Sequence, residues 1–318
     1  MKQMTLASTG FEKYGKTTRR VQFLAEMERV VPWSELCALI DPVYPKAGPD
    51  GGRPTVPLER MLRIYFLQQW FNLSDPGVEE ALHDSLAMRS FAGVDLSEER
   101  VPDETTVCKF RHLLERGRLG KKLLVAVNDY LRRNGIKITH GTIVDATIIN
   151  APTSTKNRRQ ERDPEMHQTQ KGRQWYFGMK AHLGVDSGEK LVHTVLASAA
   201  NVADKQALPY LLHGNETRVW GDAAYQGQTE VIHQRAPNAK DFTNRRCRHR
   251  GRVDEVERAR NRTKSRVRAK VEHVIGVIKR VFGFCKVRYR GLAKNLHRLE
   301  VTCALANLFI VRRRLLRA

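Results

Sequence analysis

The sequence predicts an α/β protein in which an all-helical N-terminal domain, residues 1–140, precedes a domain built on a mixed sheet flanked by helices, residues 141–318. Three observations lead there. Helical hydrophobic periodicity fills the first part, runs of strand character fill the second, and charge changes where the pattern changes. The chain carries 56 Lys and Arg against 34 Asp and Glu, a formal net charge of +22. Residues 1–140 hold 21 basic and 18 acidic side chains, and residues 141–318 hold 35 and 16. The basic surface therefore belongs mainly to the second part, and it implies a polyanionic partner, nucleic acid or an acidic membrane surface.

In the first part, "PLERMLRIYFLQQWF" (57–71), "DPGVEEALHDSLAMRSFA" (75–92) and "DETTVCKFRHLLERG" (103–117) read as short helices joined by tight polar connections. Asp75 serves as the expected N-cap of the second, with Pro76 at the first helical position. Such a set can contain a helix-turn-helix that reads DNA, although three successive helices are equally the ordinary content of a small α domain. The pattern changes near "RRNGIKITHG" (132–141). Beyond it come "GTIVDATIIN" (141–150), "WYFGMKAHLGVDS" (175–187), "KLVHTVLASAA" (190–200), a helical "DKQALPYLL" (204–212) and "TRVWGDAAY" (217–225). With "DSGE" as a hairpin turn, these predict a three-strand meander followed by a helix-crossover strand. The stretch "NRRQERDPEMHQTQKG" (157–172) reads as an exposed loop, and "NRRCRHRGRVDEVERARNR" (244–262) as a basic loop entering a helix.

The five cysteines are scattered with no C-x-x-C pair, and no secretory segment opens the chain, so a cytoplasmic, reducing compartment is expected. The longest apolar run, "VTCALANLFIV" (301–311), is too short to span a bilayer and reads as a buried helix. That argues against a membrane partner.

Three carboxylates stand out. Asp145 interrupts the apolar strand "TIVDATII", where a lone charge is costly unless an arginine or a metal balances it. Asp222 follows the strand "TRVW", with Gly221 before it allowing a close approach of backbone or ligand. Glu272 is the one acid between residues 259 and 299, among thirteen lysines and arginines. Its helix carries an apolar stripe of Val267, Val271, Val274, Ile278 and Val281. At roughly 100° per residue, Arg268, Glu272 and Lys279 align within about 40° on a neighbouring stripe. An ordinary Arg268–Glu272 pair accounts for a glutamate here but not for the absence of every other acid. Two aspartates and a glutamate inside a basic domain are the parts of a two-metal site for phosphodiester chemistry, because Mg²⁺ prefers carboxylate oxygen. Lys180 and His182 could face the same cleft. Trp220 and Tyr225, which bracket Asp222, read as core or as a stacking surface, and His273 lacks the spacing of a metal-binding pair.

These residues resemble the catalytic domain of bacterial insertion-sequence transposases of the D-D-E class, specifically the insertion-sequence-five group. The likeness rests on "TIVDATIINAP" (142–152), "WYFGMKAHLGVDSG" (175–188), "WGDAAYQG" (220–227), "SRVRAKVEHVIGVIKR" (265–280) and "YRGLAKN" (289–295). In the helical part it extends to "GRPTVPLERML" and "VPDETTVCKFRHLLE". It implies an RNase H-like core, with Asp145, Asp222 and Glu272 as catalytic residues holding two Mg²⁺, for which Mn²⁺ substitutes. It further implies cutting of double-stranded DNA at the terminal inverted repeats and joining of the freed 3′-OH to target DNA, in a homodimer or larger synaptic complex. Arg268, Lys279 and Lys180 become the expected DNA contacts. The family's Y-R-E-K signature is met at Arg268, Glu272 and Lys279, but Ser265 stands where the tyrosine would be. A resolvase-type endonuclease would need the same carboxylates, and a non-catalytic DNA-binding regulator would need only the charge.

Overall fold

The computed structural model describes residues 16–46, 55–136, 138–249 and 252–317. Parts of the readings lie outside them: residues 1–15, 47–54 and 137 of the N-terminal domain, which include 52–54 of "GRPTVPLERML" and Lys137 of "RRNGIKITHG", then 250–251 of the basic loop and 318 of the second domain. The helical part contains α1 (Arg19–Val30), α2 (Trp33–Ile40), α3 (Leu58–Phe71), α4 (Asp75–Asp84), α5 (Leu86–Ala92), α6 (Glu104–Arg116) and α7 (Leu119–Arg133). The expected helix over 75–92 is two helices. Ser85 ends α4 and caps α5, its hydroxyl accepting from the Met88 N–H at 3.4 Å. Ser74, not Asp75, caps α4 by accepting from Gly77 N–H. The Asp75 carboxylate is drawn elsewhere, to Gln68 and to the buried Arg111, each at 2.9 Å.

The sheet begins with β1 (Gly141–Asn150), antiparallel to β3 (Gln174–Asp186), which pairs in turn with β4 (Val192–Ala199). The meander is as expected. What read as loop over 157–172 ends in a strand, β2 (His167–Lys171), which folds back on β3 through a Gly172–Arg173 turn. Gly172 has φ +63°, which suits the first position of a two-residue hairpin. After β4, α8 (Asp204–Leu211) crosses over to β5 (Arg218–Trp220), parallel to β1. Then α9 (Thr229–Arg235) leads to β6 (Lys240–Asp241), parallel to β5. The basic stretch at 244–262 contains a small ribbon, β7 (Arg248–His249) with β8 (Arg252–Val253), before α10 (Glu255–Arg268). The chain ends in α11 (Lys270–Gly276), a π-helical turn over Val277–Val281, and the long α12 (Leu292–Leu315).

One hydrophobic core joins the two parts. It runs from Leu24 in α1 through Ile143 and Leu183 on one sheet face to Leu299, Leu305 and Leu308 in α12. The run at 301–311 is the buried helix expected of it. Asn307 fastens α12 to the sheet, accepting from Val192 N–H and donating to its carbonyl, both at 2.8 Å. The opposite sheet face carries a smaller core of Val144, Leu208, Leu211, Val219 and Tyr225. Among the described residues no helix is long and apolar enough to cross a membrane.

Candidate active site

The short length of β5 creates the site. It covers β1 only from Gly141 to Ile143, so the acids gather where that cover ends. Asp145 is on β1 two residues further on, Asp222 stands two residues beyond the end of β5, and Glu272 reaches in from α11. All three line one cleft of about 530 Å³, together with Asp204, Lys180 and Arg268. The β2 segment Thr169, Gln170 and Lys171 forms its outer rim.

The three acids are held very differently. Asp145 keeps only 15% of its side-chain surface, accepts from Ala146 N–H at 2.9 Å and meets Arg268 at 3.3 Å. Burial pushes its carboxyl up to about 6, against opposing contributions from Ala146 N–H and Arg268 and with added repulsion from Asp222 and Asp204. Asp222 accepts from Ala224 N–H at 2.9 Å, capping the short turn Ala223–Tyr225 that follows it. Glu272 keeps 66% of its side-chain surface and is 3.9 Å from Arg268. The guanidinium of Arg268 therefore stands between Asp145 and Glu272, and its buried Nε has no acceptor among the described residues. Among the described residues no three His, Cys, Asp or Glu side chains are gathered closely enough to hold a metal together.

The helix bearing Glu272 departs from the expected single ruler. It breaks at Ala269, where Glu272 N–H donates to Ala269 O, and widens into the π turn. Val271, Val274 and Ile278 stay buried, but Val281 is 52% exposed and leaves the apolar stripe. Lys279 turns inward and donates to Thr147 Oγ1 at 3.2 Å and Ile148 O at 2.8 Å, with burial lowering its pKa. Arg268 and Lys279 are thus engaged with β1 rather than presented as free DNA contacts. Lys180 lines the cleft but is also held, donating to Val202 O at 2.7 Å and pairing with Asp204 at 2.9 Å. His182 is buried against Ser198, at 2.7 Å, and does not line the cleft.

Asp204 is the cleft residue that pattern reading passed over. It sits in the first turn of α8, where an acid is unremarkable in sequence. Its visible signal is its place directly after the meander, at the start of the crossover. Tyr225 and Trp220 prove to be core: Tyr225 is fully buried and Trp220 stacks on Phe242 at 5.5 Å. Gly221 exists for that ring, since a Cβ there would lie 2.9 Å from Tyr225 Cδ2. Ser265 accepts from Asn244 Nδ2 at 3.0 Å.

Comparison with known families places this geometry in context. Residues 138–308 match the family described as Transposase DDE domain, and residues 12–113 match the Transposase domain (DUF772). Among solved structures, the chain is similar to a piggyBac transposase synaptic complex with hairpin DNA, with TM-score 0.49 and 10% identity over 93% of this chain and 75% of that one.

Proposed function

The chain belongs to the DDE-domain transposases, and on that premise we propose that Asp145, Asp222 and Glu272 are its catalytic carboxylates. The observation that carries this reading is their convergence on one cleft from three separate elements. A DNA transposase of this family works on DNA with divalent metal ions. The donor chemistry suits such ions: hard carboxylate oxygens line one cleft, and Asp145 is raised by burial and by two neighbouring acids, a condition that added positive charge relieves, while Arg268 must leave its place between Asp145 and Glu272 for the acids to close on an ion. Asp145, Asp222 and Glu272 would hold two Mg²⁺, with Mn²⁺ able to replace them. Bound there, the ions supply a nucleophilic water and stabilise charge on the phosphodiester.

The chain's own groups set the stage for that chemistry. Arg268 holds the Asp145 carboxylate in place at 3.3 Å and keeps Glu272 within reach. When Arg268 releases these acids, its guanidinium becomes available to a DNA phosphate beside the cut. Lys279 and Lys180 serve as further phosphate contacts on the same terms. The reaction is hydrolysis at the inverted-repeat ends followed by attack of the freed 3′-OH on target DNA. The chain divides functionally at 140/141, with the helical domain reading the ends and the sheet domain cutting them, in a homodimer or larger complex of a cytoplasmic, bacterial element of the insertion-sequence-five group.

The test uses purified protein, Mg²⁺ and a duplex carrying the element's own end. The parent should nick it, and Glu272→Gln should lose nicking by about three orders of magnitude while binding the duplex normally. Full activity in Glu272→Gln would remove Glu272 from the catalytic set.

A further inference from the structure

The β2–β3 hairpin carries an exposed tryptophan that the catalytic reading leaves unused. Trp175 is 65% exposed, whereas Trp70 and Trp220 are 2% and 8% exposed. Trp33, Trp70 and Trp220 each pack against another aromatic ring, and Trp175 packs against none among the described residues. An indole left in water on a strand is unexplained by folding, since it adds nothing to either core.

Its position points to the cleft. In the hairpin register Trp175 is directly opposite Gln170, and directly opposed residues of an antiparallel pair project from the same face. Gln170 lines the cleft with Thr169 and Lys171. Cations flank the hairpin: Lys171, opposite Gln174 and so on the other face of the ribbon from Trp175, is near enough to Lys279 to help lower its pKa, and Arg173 stands at the hairpin tip. Neither Lys171 nor Arg173 is in an ion pair among the described residues. A single indole among Gln170, Lys171, Arg173 and Gln174 is no apolar patch for a protein partner. A flat aromatic face next to the hairpin tip, where Arg173 is free of ion pairs among the described residues, suits a nucleobase and its phosphate.

We propose that Trp175 is a stacking platform for an unpaired base of the DNA strand that enters the cleft. Duplex bases already stack on their neighbours, so the platform acts on a strand whose pairing is open near the cut. The indole costs little to order, because it is mounted on a hydrogen-bonded strand and closed by a two-residue turn. The inference rests on the transposase reading for the choice of DNA, but not on which carboxylates are catalytic.

The experiment measures fluorescence anisotropy of the full chain, without metal, on three labelled oligonucleotides of equal length: a single strand, a duplex, and a single strand with abasic sites at its centre. Trp175→Ala should weaken single-strand binding about 5- to 100-fold, while Trp175→Phe keeps most of the affinity. Duplex binding should change by less than about twofold, and the parent and Trp175→Ala should bind the abasic strand equally. Unchanged single-strand binding in Trp175→Ala would overturn the proposal. So would an equal loss on the abasic strand, since no base is there to stack. Nicking of the end duplex by the parent, measured separately with Mg²⁺, reports on the catalytic reading: nicking with normal single-strand binding by Trp175→Ala leaves that reading standing and ends this inference alone.

Discussion

The cleft has two unlike walls. The strand wall, with Asp145 and Asp222, is set by main-chain pairing and by a buried Tyr225 behind Gly221. The helix wall, with Glu272, rests on a helix that breaks at Ala269 and widens over Val277–Val281. Asp145 is mostly buried and raised, whereas Glu272 is mostly in solvent. The difference teaches that the two walls hold their acids by different means. Asp145 is buried and crowded by other acids, whereas Glu272 is open to solvent on an interrupted helix. A π turn inside an α-helix often marks a functional site, and this one follows directly on the segment that carries Glu272.

Neutralising each wall in turn tests the contrast most severely. Asp145→Asn and Glu272→Gln should both lose nicking by about three orders of magnitude, but only Asp145→Asn should alter the pH dependence of stability. The Asp145 carboxyl titrates at about 6 in the folded chain against an ordinary 3.8. Its folded pKa is raised, so its stabilising share is fully present below pH 3.8 and is lost as pH rises through about 6. That share is about 3 kcal/mol, and urea unfolding of metal-free protein at pH 4 and pH 7 should show it in the parent and not in Asp145→Asn. Equal slopes would mean that burial does not set this carboxyl.

Glycines on the two walls give a smaller, opposite pair of effects. Gly221→Ala places a Cβ 2.9 Å from Tyr225 Cδ2 and 3.1 Å from Val144 Cγ2, two buried side chains, and should destabilise by about 1–3 kcal/mol. Gly276→Ala meets the end of the flexible Arg280 side chain at 3.0 Å, within a helix, and should stabilise by about 0.5–1 kcal/mol. Denaturant midpoints of the two variants decide it, and a destabilised Gly276→Ala would mean that the helix wall is as tightly packed as the strand wall. Smallest is Lys180→Ala, which should weaken DNA binding a few-fold and lower its salt slope by about 1. An unchanged slope would leave Lys180 as an anchor for Val202 and Asp204 alone.

Much of the strand wall was legible beforehand. The bounds of β1 follow from the sequence to the residue, because two β-branched triplets, Thr142–Val144 and Thr147–Ile149, between turn signals have one reasonable reading. The helix wall was legible only as composition. The lone acid stood out, but the angular ruler that aligned Arg268, Glu272 and Lys279 assumes a continuous α-helix, which the bend at Ala269 and the π turn interrupt. The division of 75–92 followed from Ser85, whose hydroxyl caps as readily as it continues a helix. The β2 strand was hidden because its residues are polar, and a strand whose side chains meet solvent carries no hydrophobic alternation.

The sequence by itself determined the charge distribution, the change from helices to strands near residue 140 and the unusual settings of Asp145, Asp222 and Glu272, since each depends on residue type and local spacing. Tertiary structure alone decided what those acids are beside. Arg268 bridges 123 positions to reach Asp145, Lys279 turns inward onto Thr147 and Ile148, and Asp204 joins the cleft across the meander from Lys180. Hydrophobic burial brings these groups together by packing β1 against α11 on one face and α8 on the other. The long-range charge pairs then follow from that packing, and no local pattern can encode them.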